Sequence, residues 1–107
     1  MGIHYIDRMN VVSKARLRAF WHRHPRSRGP LEAWFADVRR ASWDSPADVK
    51  SDFGNTVDFI ADNRIIFDVG GNNYRVIVHV AYRFKRVLVK FVGTHAEYDR
   101  IDPEIVG

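Results

Sequence analysis

The sequence contains no cysteine. This absence excludes disulfide bonds, thiolate nucleophiles, and zinc or iron–sulfur sites built on cysteine. No apolar run approaches the roughly 18 residues of a membrane span. The first nine residues also lack the apolar segment and the small-residue cleavage site of a secretory signal. We therefore expect a soluble, cytoplasmic protein with no membrane partner.

The composition is that of one folded domain. Of the 107 residues, 46% are hydrophobic, and they include three Trp and seven Phe. A chain of this length can bury one core and has no room for two. The content of large apolar side chains also excludes an intrinsically disordered chain.

Positive charge is concentrated in the first part of the chain. Residues 1–43 hold nine Lys and Arg and three acidic residues, a net charge of +6. Residues 44–62 carry a net charge of −4, and the whole chain carries +4. An uneven basic charge is typical of proteins that bind polyanions, although many basic proteins bind no nucleic acid.

The first half of the chain has apolar residues at helical spacing. Leu17, Phe20 and Trp21 follow Ser13, a good helix N-cap, and Pro25 ends that helix. The elements predicted here are a strand over 9–12, a helix after Ser13, a helix from Gly29-Pro30, a short helix from Pro46 to about Asp52 and an irregular stretch over 53–62.

The second half alternates apolar and polar residues, as strands do. It predicts strands over 63–69, 74–82 and 87–92, turns at 70–73 and 83–86, a break at 93–94 and a short helix or turn over 97–101. Helices followed by an antiparallel meander indicate an α+β fold with the helices on one face of a small, mainly antiparallel sheet. The expected core sets Leu17, Phe20, Trp21, Trp34 and Phe35 against Val76, Val78 and Val80.

Strand alternation suggests a basic face opposite the helices. In this interpretation Arg64, Arg75 and Lys90 are displayed together, with Lys90 on the same side as Leu88 and Val92. Such a face is a candidate platform for RNA. The alternative is that these cations are ordinary solvated strand residues.

Two segments in the second half carry a family resemblance. Phe67 to Ile77 (FDVGGNNYRVI) and Phe91 to Asp99 (FVGTHAEYD) resemble the glycine–glycine–asparagine hairpin and the Thr-His…Glu-Tyr-Asp motif of HigB-type toxins. A weaker likeness extends over 13–50. The resemblance implies one RelE-like domain over 9–102, an N-terminal extension over 1–8 and a C-terminal tail over 103–107.

The resemblance also implies a function. HigB-type toxins cleave messenger RNA, usually on the ribosome, and are neutralised by a HigA-type helix-turn-helix antitoxin. RelE-like toxins use no metal or other cofactor, because the 2′-hydroxyl of the RNA attacks the adjacent phosphate. Two alternatives stay open: a toxin of the same fold that acts on DNA gyrase, and a non-catalytic RNA-binding module.

The proposed chemistry needs an acid or base and a cationic phosphate site. His95 suits proton transfer near neutrality, and Tyr98 could stack on a base or donate to phosphate. The alternatives are a surface or capping histidine and a tyrosine that only packs on the sheet. Arg75 and Lys90 are the candidates for holding phosphate, and Arg75 is expected to be removable without harm to the core.

Further RNA contacts are expected from the hairpin turn and from the basic helices. They are Arg64, Asn72, Asn73, Arg16 and Arg23. The arginines of the first helix and the following loop could instead form a solvated helix face. His22 and His24 are two residues apart, so they do not face each other on a helix, and no metal site is predicted.

Overall fold

The computed structural model describes residues 7–107. Its helices are α1 (Lys14–Arg23), α2 (Arg28–Arg40), α3 (Pro46–Phe53) and α4 (His95–Tyr98), and its strands are β1 (Asn10–Val12), β2 (Val57–Ile60), β3 (Arg64–Val69), β4 (Tyr74–Ala81) and β5 (Arg86–Thr94). Short 3₁₀ turns occupy Pro25–Ser27, Gly54–Thr56 and Tyr82–Phe84. Most of the predicted N-terminal extension, residues 1–6, lies outside the described part.

The five strands form one sheet in the order β1-β5-β4-β3-β2. Strands β2 to β5 pair antiparallel with their neighbours, and only β1 runs parallel to β5. This architecture confirms the predicted α+β class with a mainly antiparallel sheet. No helix within residues 7–107 is long and apolar enough to cross a bilayer.

Helices α1, α2 and α3 cover one face of the sheet, which we call the helical face. Its core contains the predicted side chains of α1 and α2 packed with Val76, Val78 and Val80. Phe35 is half-buried rather than buried, and the Lys14 ammonium lies 4.3 Å from its ring centroid. An amphipathic cation that covers an aromatic ring in this way accounts for the partial exposure.

Phe67 is the centre of the core. It is fully buried, and its ring centroid lies 5.4 Å from that of Trp34 and 4.9 Å from that of Phe53. Trp43 stacks on the same ring at 6.4 Å, and its indole N–H donates to Asp52 over 2.9 Å. Phe67 therefore joins the sheet to α2, α3 and the connection between them.

The irregular stretch predicted over 53–62 is wrong in part, because Val57–Ile60 forms strand β2. The sequence signal for the hairpin between β2 and β3 is the dipeptide Asp62-Asn63. Both residues have positive φ, and the Arg64 N–H donates to the Ala61 carbonyl over 3.3 Å. Two central residues of positive φ define the type I′ turn that suits antiparallel hairpins.

Two boundaries near the C-terminus also differ from the prediction. β5 continues through the predicted break to Thr94, and α4 begins at His95 rather than at Glu97. Gly93 pairs with Arg75 inside the sheet, so this glycine does not end the strand. Near the start of the described chain, Ser13 is the N-cap residue of α1, but its side chain makes no capping hydrogen bond.

A bulge in β5 separates side chains that were predicted to share a face. Ile77 pairs with Phe91 and Val78 with Val89, so Lys90 is the extra residue. The extra residue reverses the alternation, which places Val92 against the core of the helical face. The prediction that Leu88, Lys90 and Val92 lie on one side is therefore wrong for Val92, whereas Leu88 and Lys90 line one cavity.

Replacing Phe67 with Ala should lower the free energy of unfolding by about 3–5 kcal/mol, because a buried aromatic ring is lost from a packed core. Phe84, which is 66% exposed, gives the matched control, and Phe84→Ala should change stability by less than about 0.5 kcal/mol. Urea unfolding followed by circular dichroism measures both. Equal losses in the two variants would contradict this description of the core.

Candidate active site at the end of strand β5

A pair of reciprocal hydrogen bonds fixes α4 at the end of the sheet. The Thr94 hydroxyl accepts from the Glu97 N–H over 3.1 Å, and the Glu97 carboxylate accepts from the Thr94 N–H over 2.9 Å. This is a capping box, which satisfies two backbone N–H groups at the start of a helix. The Thr-x-x-Glu spacing is the sequence signal for it, and it shows why His95 rather than Glu97 begins α4.

His95 stands at the exposed tip of this segment. Its Nδ1 lies 3.2 Å from the Asp99 carboxylate one helical turn later, and its backbone N–H donates to the Asn73 carbonyl over 3.1 Å. The carboxylate favours a proton on Nδ1, which leaves Nε2 as the acceptor nitrogen of the neutral ring. The arrangement suits a general base that faces solvent.

Tyr98, three residues after His95 in α4, lies over Arg75. The guanidinium carbon is 5.6 Å from the centroid of the phenol ring, a cation–π distance. Burial raises the pKa of Tyr98 above its usual 10.0, Arg75 opposes that shift, and the carboxylates of Asp58, Asp68 and Asp99 reinforce it. The phenol therefore keeps its proton at neutral pH and can donate a hydrogen bond.

Arg75 is buried, at 7% exposure, and its guanidinium is largely occupied. Its Nε lies 3.0 Å from the Asp68 carboxylate, and its terminal nitrogens donate to Asn72 Oδ1 over 2.6 Å and to the carbonyls of Asn72 and Tyr74. Asp68 is 30% exposed, but loss of Arg75 would leave this carboxylate and the Asn72 amide oxygen without their cationic partner. The structure thus gives Arg75 a structural part that strand alternation did not indicate, and Arg75→Ala should lose stability.

Arg64 is also buried, at 9% exposure. Its Nη1 donates to the carbonyl oxygens of Pro103 over 3.1 Å and Val106 over 2.5 Å. The predicted C-terminal tail is thus packed against the sheet face opposite the helices, which we call the second face. Because Arg64 and Arg75 are both buried there, the open basic platform of the sequence interpretation is not present.

Lys90 is separated from the α4 site. It lines a cavity of about 510 Å³ with Arg64, His79, Leu88 and the turn residues Asp62 and Asn63. The bulge turns its carbonyl toward α1, where Arg16 donates to it over 3.0 Å. The structure therefore forms two basic clusters, and of the four predicted catalytic residues it brings together only His95, Tyr98 and Arg75.

Arg23 and His24 lie beside α4, a placement that no local pattern in the sequence predicts. Both lie close enough to the Glu97 carboxylate to lower its pKa, after the larger effect of the backbone hydrogen bond from Thr94. Arg23 was predicted as an RNA contact, whereas His24 was considered only as half of a metal pair. Within residues 7–107, no three His, Asp or Glu side chains converge as a metal site requires.

The capping box should give the fold a dependence on acid pH. Since the folded pKa of Glu97 lies below its usual 4.5, its contribution to stability is present above that value and lost as pH falls through the folded pKa. Glu97→Gln should make the stability of the fold depend less on pH in that range. Thermal unfolding between pH 3 and 7 measures it, with Glu104→Gln at an exposed position as the control. An unchanged profile in Glu97→Gln would contradict the assignment.

Comparison with known proteins places the chain in a family. A family model described as HigB_toxin, RelE-like toxic component of a toxin-antitoxin system, matches residues 27–101. The mRNA interferase HigB of Escherichia coli O6:H1 (strain CFT073) is 31% identical over 94 residues, which cover 87% of this chain and 91% of the relative. The mRNA interferase toxin HigB of Escherichia coli K12 is 26% identical over 92 residues, which cover 85% and 88%. The mRNA interferase HigB of Shigella flexneri has the same identity and coverage. The chain therefore belongs to the HigB_toxin family, the RelE-like toxic components of toxin–antitoxin systems.

Proposed function

We propose that this toxin is an endoribonuclease that cuts messenger RNA on the ribosome and so inhibits translation. The observation that carries the proposal is the α4 segment, where the His95–Asp99 pair and Tyr98 over Arg75 lie within one helical turn. The relatives reported above carry the name mRNA interferase, which supports an activity on messenger RNA. A toxin that only binds RNA would have no use for an oriented histidine.

The proposed reaction uses the RNA's own 2′-hydroxyl and needs no metal ion. The 2′ oxygen attacks the adjacent phosphorus while His95 Nε2 accepts its proton, and the bond from phosphorus to the 5′ oxygen breaks. The leaving 5′ oxygen takes a proton from water. The products are a 2′,3′-cyclic phosphate and a 5′-hydroxyl end. Asp99 keeps the imidazole in the tautomer that accepts, and it stabilises the imidazolium that forms.

Tyr98 and Arg75 are proposed to stabilise the charge that develops on the phosphate. The protonated phenol donates to a phosphate oxygen, and the guanidinium beneath the ring contributes a fixed positive charge in a partly desolvated site. Within residues 7–107, Arg75 Nη2 donates one hydrogen bond, to Asn72 Oδ1, so its second N–H is available for phosphate.

The remaining predicted RNA contacts are proposed to bind the strand on either side of the cut. Asn72 and Asn73 form the exposed turn beside His95. Arg23 lies beside Glu97, Arg16 donates to the Lys90 carbonyl at the bulge, and Lys90 lines the cavity there. Arg64 is not included, because it is buried and donates to the C-terminal tail. Lys90, a flexible point charge, suits a phosphate farther along the RNA rather than the scissile one.

Membership of a toxin–antitoxin family implies an antitoxin partner. We propose that it is a HigA-type helix-turn-helix protein, as the family resemblance indicates. A small reading frame of that type next to the toxin gene, and recovery of growth when the two are co-expressed, would support the pairing. Recovery of growth only with a co-expressed protein of an unrelated fold would contradict it.

His95→Ala should lower the single-turnover rate by roughly 10²–10⁴, the usual contribution of a positioned acid or base. Asp99→Asn should lower it less, because the ring stays in place without its charged partner. The measurement is cleavage of messenger RNA on programmed ribosomes and in free solution, both in magnesium buffer, after circular dichroism verifies folding. EDTA is added in a separate free-solution reaction to test for metal dependence.

His22→Ala is the matched control, since His22 is an exposed histidine on α1 that lines a different cavity. Arg75→Lys keeps the buried charge but loses the planar fork, so it should cleave slowly while remaining folded. Wild-type rates in folded His95→Ala would overturn the assignment of the base. Equal rates with and without ribosomes would overturn ribosome dependence alone.

Binding to programmed ribosomes should weaken steeply with salt. Helices α1 and α2 and the turn between them hold Lys14, Arg16, Arg18, Arg23, Arg26 and Arg39 outside the exposed ion pairs Arg28–Glu32 and Arg40–Asp37. Each phosphate contact should contribute a slope of about −0.7 to −0.9 to a plot of log K against log salt. Binding that is insensitive to salt from 50 to 200 mM, measured by sedimentation, would contradict an electrostatic interface.

A further inference from the structure

A small cleft opens beside α4 where helix α1 ends. It has a volume of about 260 Å³ and is lined by Arg23, His24, Pro25, Arg26 and Tyr74. This volume is below the roughly 300–1,000 Å³ of sites for drug-sized ligands. The cleft therefore fits a group of about the size of one nucleobase.

Two aromatic side chains shape the cleft, and both rest on the buried ring of Phe20. The imidazole of His24 stacks on Phe20 with a centroid distance of 4.5 Å and an interplanar angle of 28°. Tyr74 meets the same ring edge-on at 5.8 Å and 80°. Since one face of the imidazole is covered by Phe20, its other face is the flat surface left for a ligand.

The corner that carries His24 is fixed by its neighbours. Pro25 holds the preceding residue out of helical conformation, and His24 has φ −130° and ψ 76°. Ser27, which is fully buried, donates to the His24 carbonyl from its N–H over 2.9 Å and from its hydroxyl over 2.7 Å. The imidazole is thus oriented before any ligand arrives, which reduces the entropy cost of binding.

The cleft adjoins the proposed cleavage site. Tyr74 pairs with Thr94, the residue before α4, and the preceding residue Asn73 accepts from the backbone N–H of His95. Arg23 and Arg26 are exposed at the rim. A base in the cleft would therefore belong to a nucleotide next to the scissile phosphate, with two guanidinium groups near its backbone.

We propose that this cleft binds one unpaired nucleobase of the RNA by stacking on His24, and that it thereby selects the position of the cut. The proposal rests on the ribonuclease function proposed above. Every base can stack on an aromatic ring. The cleft therefore selects an unstacked nucleotide, and it positions the adjacent nucleotide at His95. His24 acts here as a binding residue and takes no part in proton transfer.

An abasic scan of the messenger RNA tests this proposal. Cleavage of unmodified RNA on programmed ribosomes is measured first, and the cut is mapped. A 2′-deoxy nucleotide then replaces the attacking one to prevent cleavage, and an abasic residue is placed at each position within three nucleotides of the cut. The affinity of the wild-type protein, His24→Ala, His24→Phe and His22→Ala is measured for each RNA.

The wild-type protein and His22→Ala should lose about 5- to 100-fold in affinity at one abasic position, the range expected for one stacked base. His24→Ala should bind every RNA of the series about equally, and His24→Phe should regain the loss at that one position. If His24→Ala keeps the wild-type dependence on the abasic position, the inference is overturned. An absence of wild-type cleavage would instead overturn the proposed function, so the two failures are distinguishable.

Discussion

The reciprocal hydrogen bonds between Thr94 and Glu97 are the interaction on which the candidate site depends. Thr94 belongs to the sheet through its pairing with Tyr74, and Glu97 belongs to α4. Their capping box fixes the direction in which the chain leaves β5. As a result His95 points to solvent beside the β3–β4 turn and Tyr98 covers Arg75. Without it, a four-residue helix would have little to hold its side chains in place.

The arginines of the sheet and the basic residues of the helices have different roles. Arg64 and Arg75 are buried on the second face, where they bind backbone carbonyls, a carboxylate and an amide oxygen. Their hydrogen bonds attach the C-terminal tail and rigidify the turn next to His95. The cations of α1, α2 and the intervening turn are mostly exposed and have few acidic neighbours. Attraction of a polyanion is therefore a property of the helices, while the buried arginines hold the site together.

The fold could be predicted largely from periodicity, because the helical core of Leu17, Phe20 and Trp34 and the valines of β4 follow simple spacings. The features that periodicity did not predict depend on single residues that interrupt the alternation of the strands. Asp62 and Asn63 accept positive φ and so create the hairpin that makes β2 a strand. Lys90 forms a bulge, and the bulge reverses the faces on either side of it.

The candidate site could be predicted in part. The Thr-His…Glu-Tyr-Asp segment identified His95 and Tyr98 as neighbours, and the structure sets Arg75 beneath Tyr98. The burial of Arg75 was not predictable from alternation, because alternation assigns a face but does not reveal what covers that face. The approach of His24 to Glu97 joins residues 73 positions apart, and no local pattern encodes such a contact.

We propose that RNA is cut at the α4 segment, with His95 as the base. The most direct measurement is an experimental structure of the protein on a ribosome programmed with messenger RNA in which a methylene group replaces the 5′ bridging oxygen at the cut, so that the 2′-hydroxyl is kept and the bond to phosphorus cannot break. His95 Nε2 should lie about 2.6–3.2 Å from that 2′ oxygen, the reach of a general base, with Tyr98 on the phosphate side. RNA bound instead over the cavity of Lys90 and Arg64, with His95 facing solvent, would contradict it.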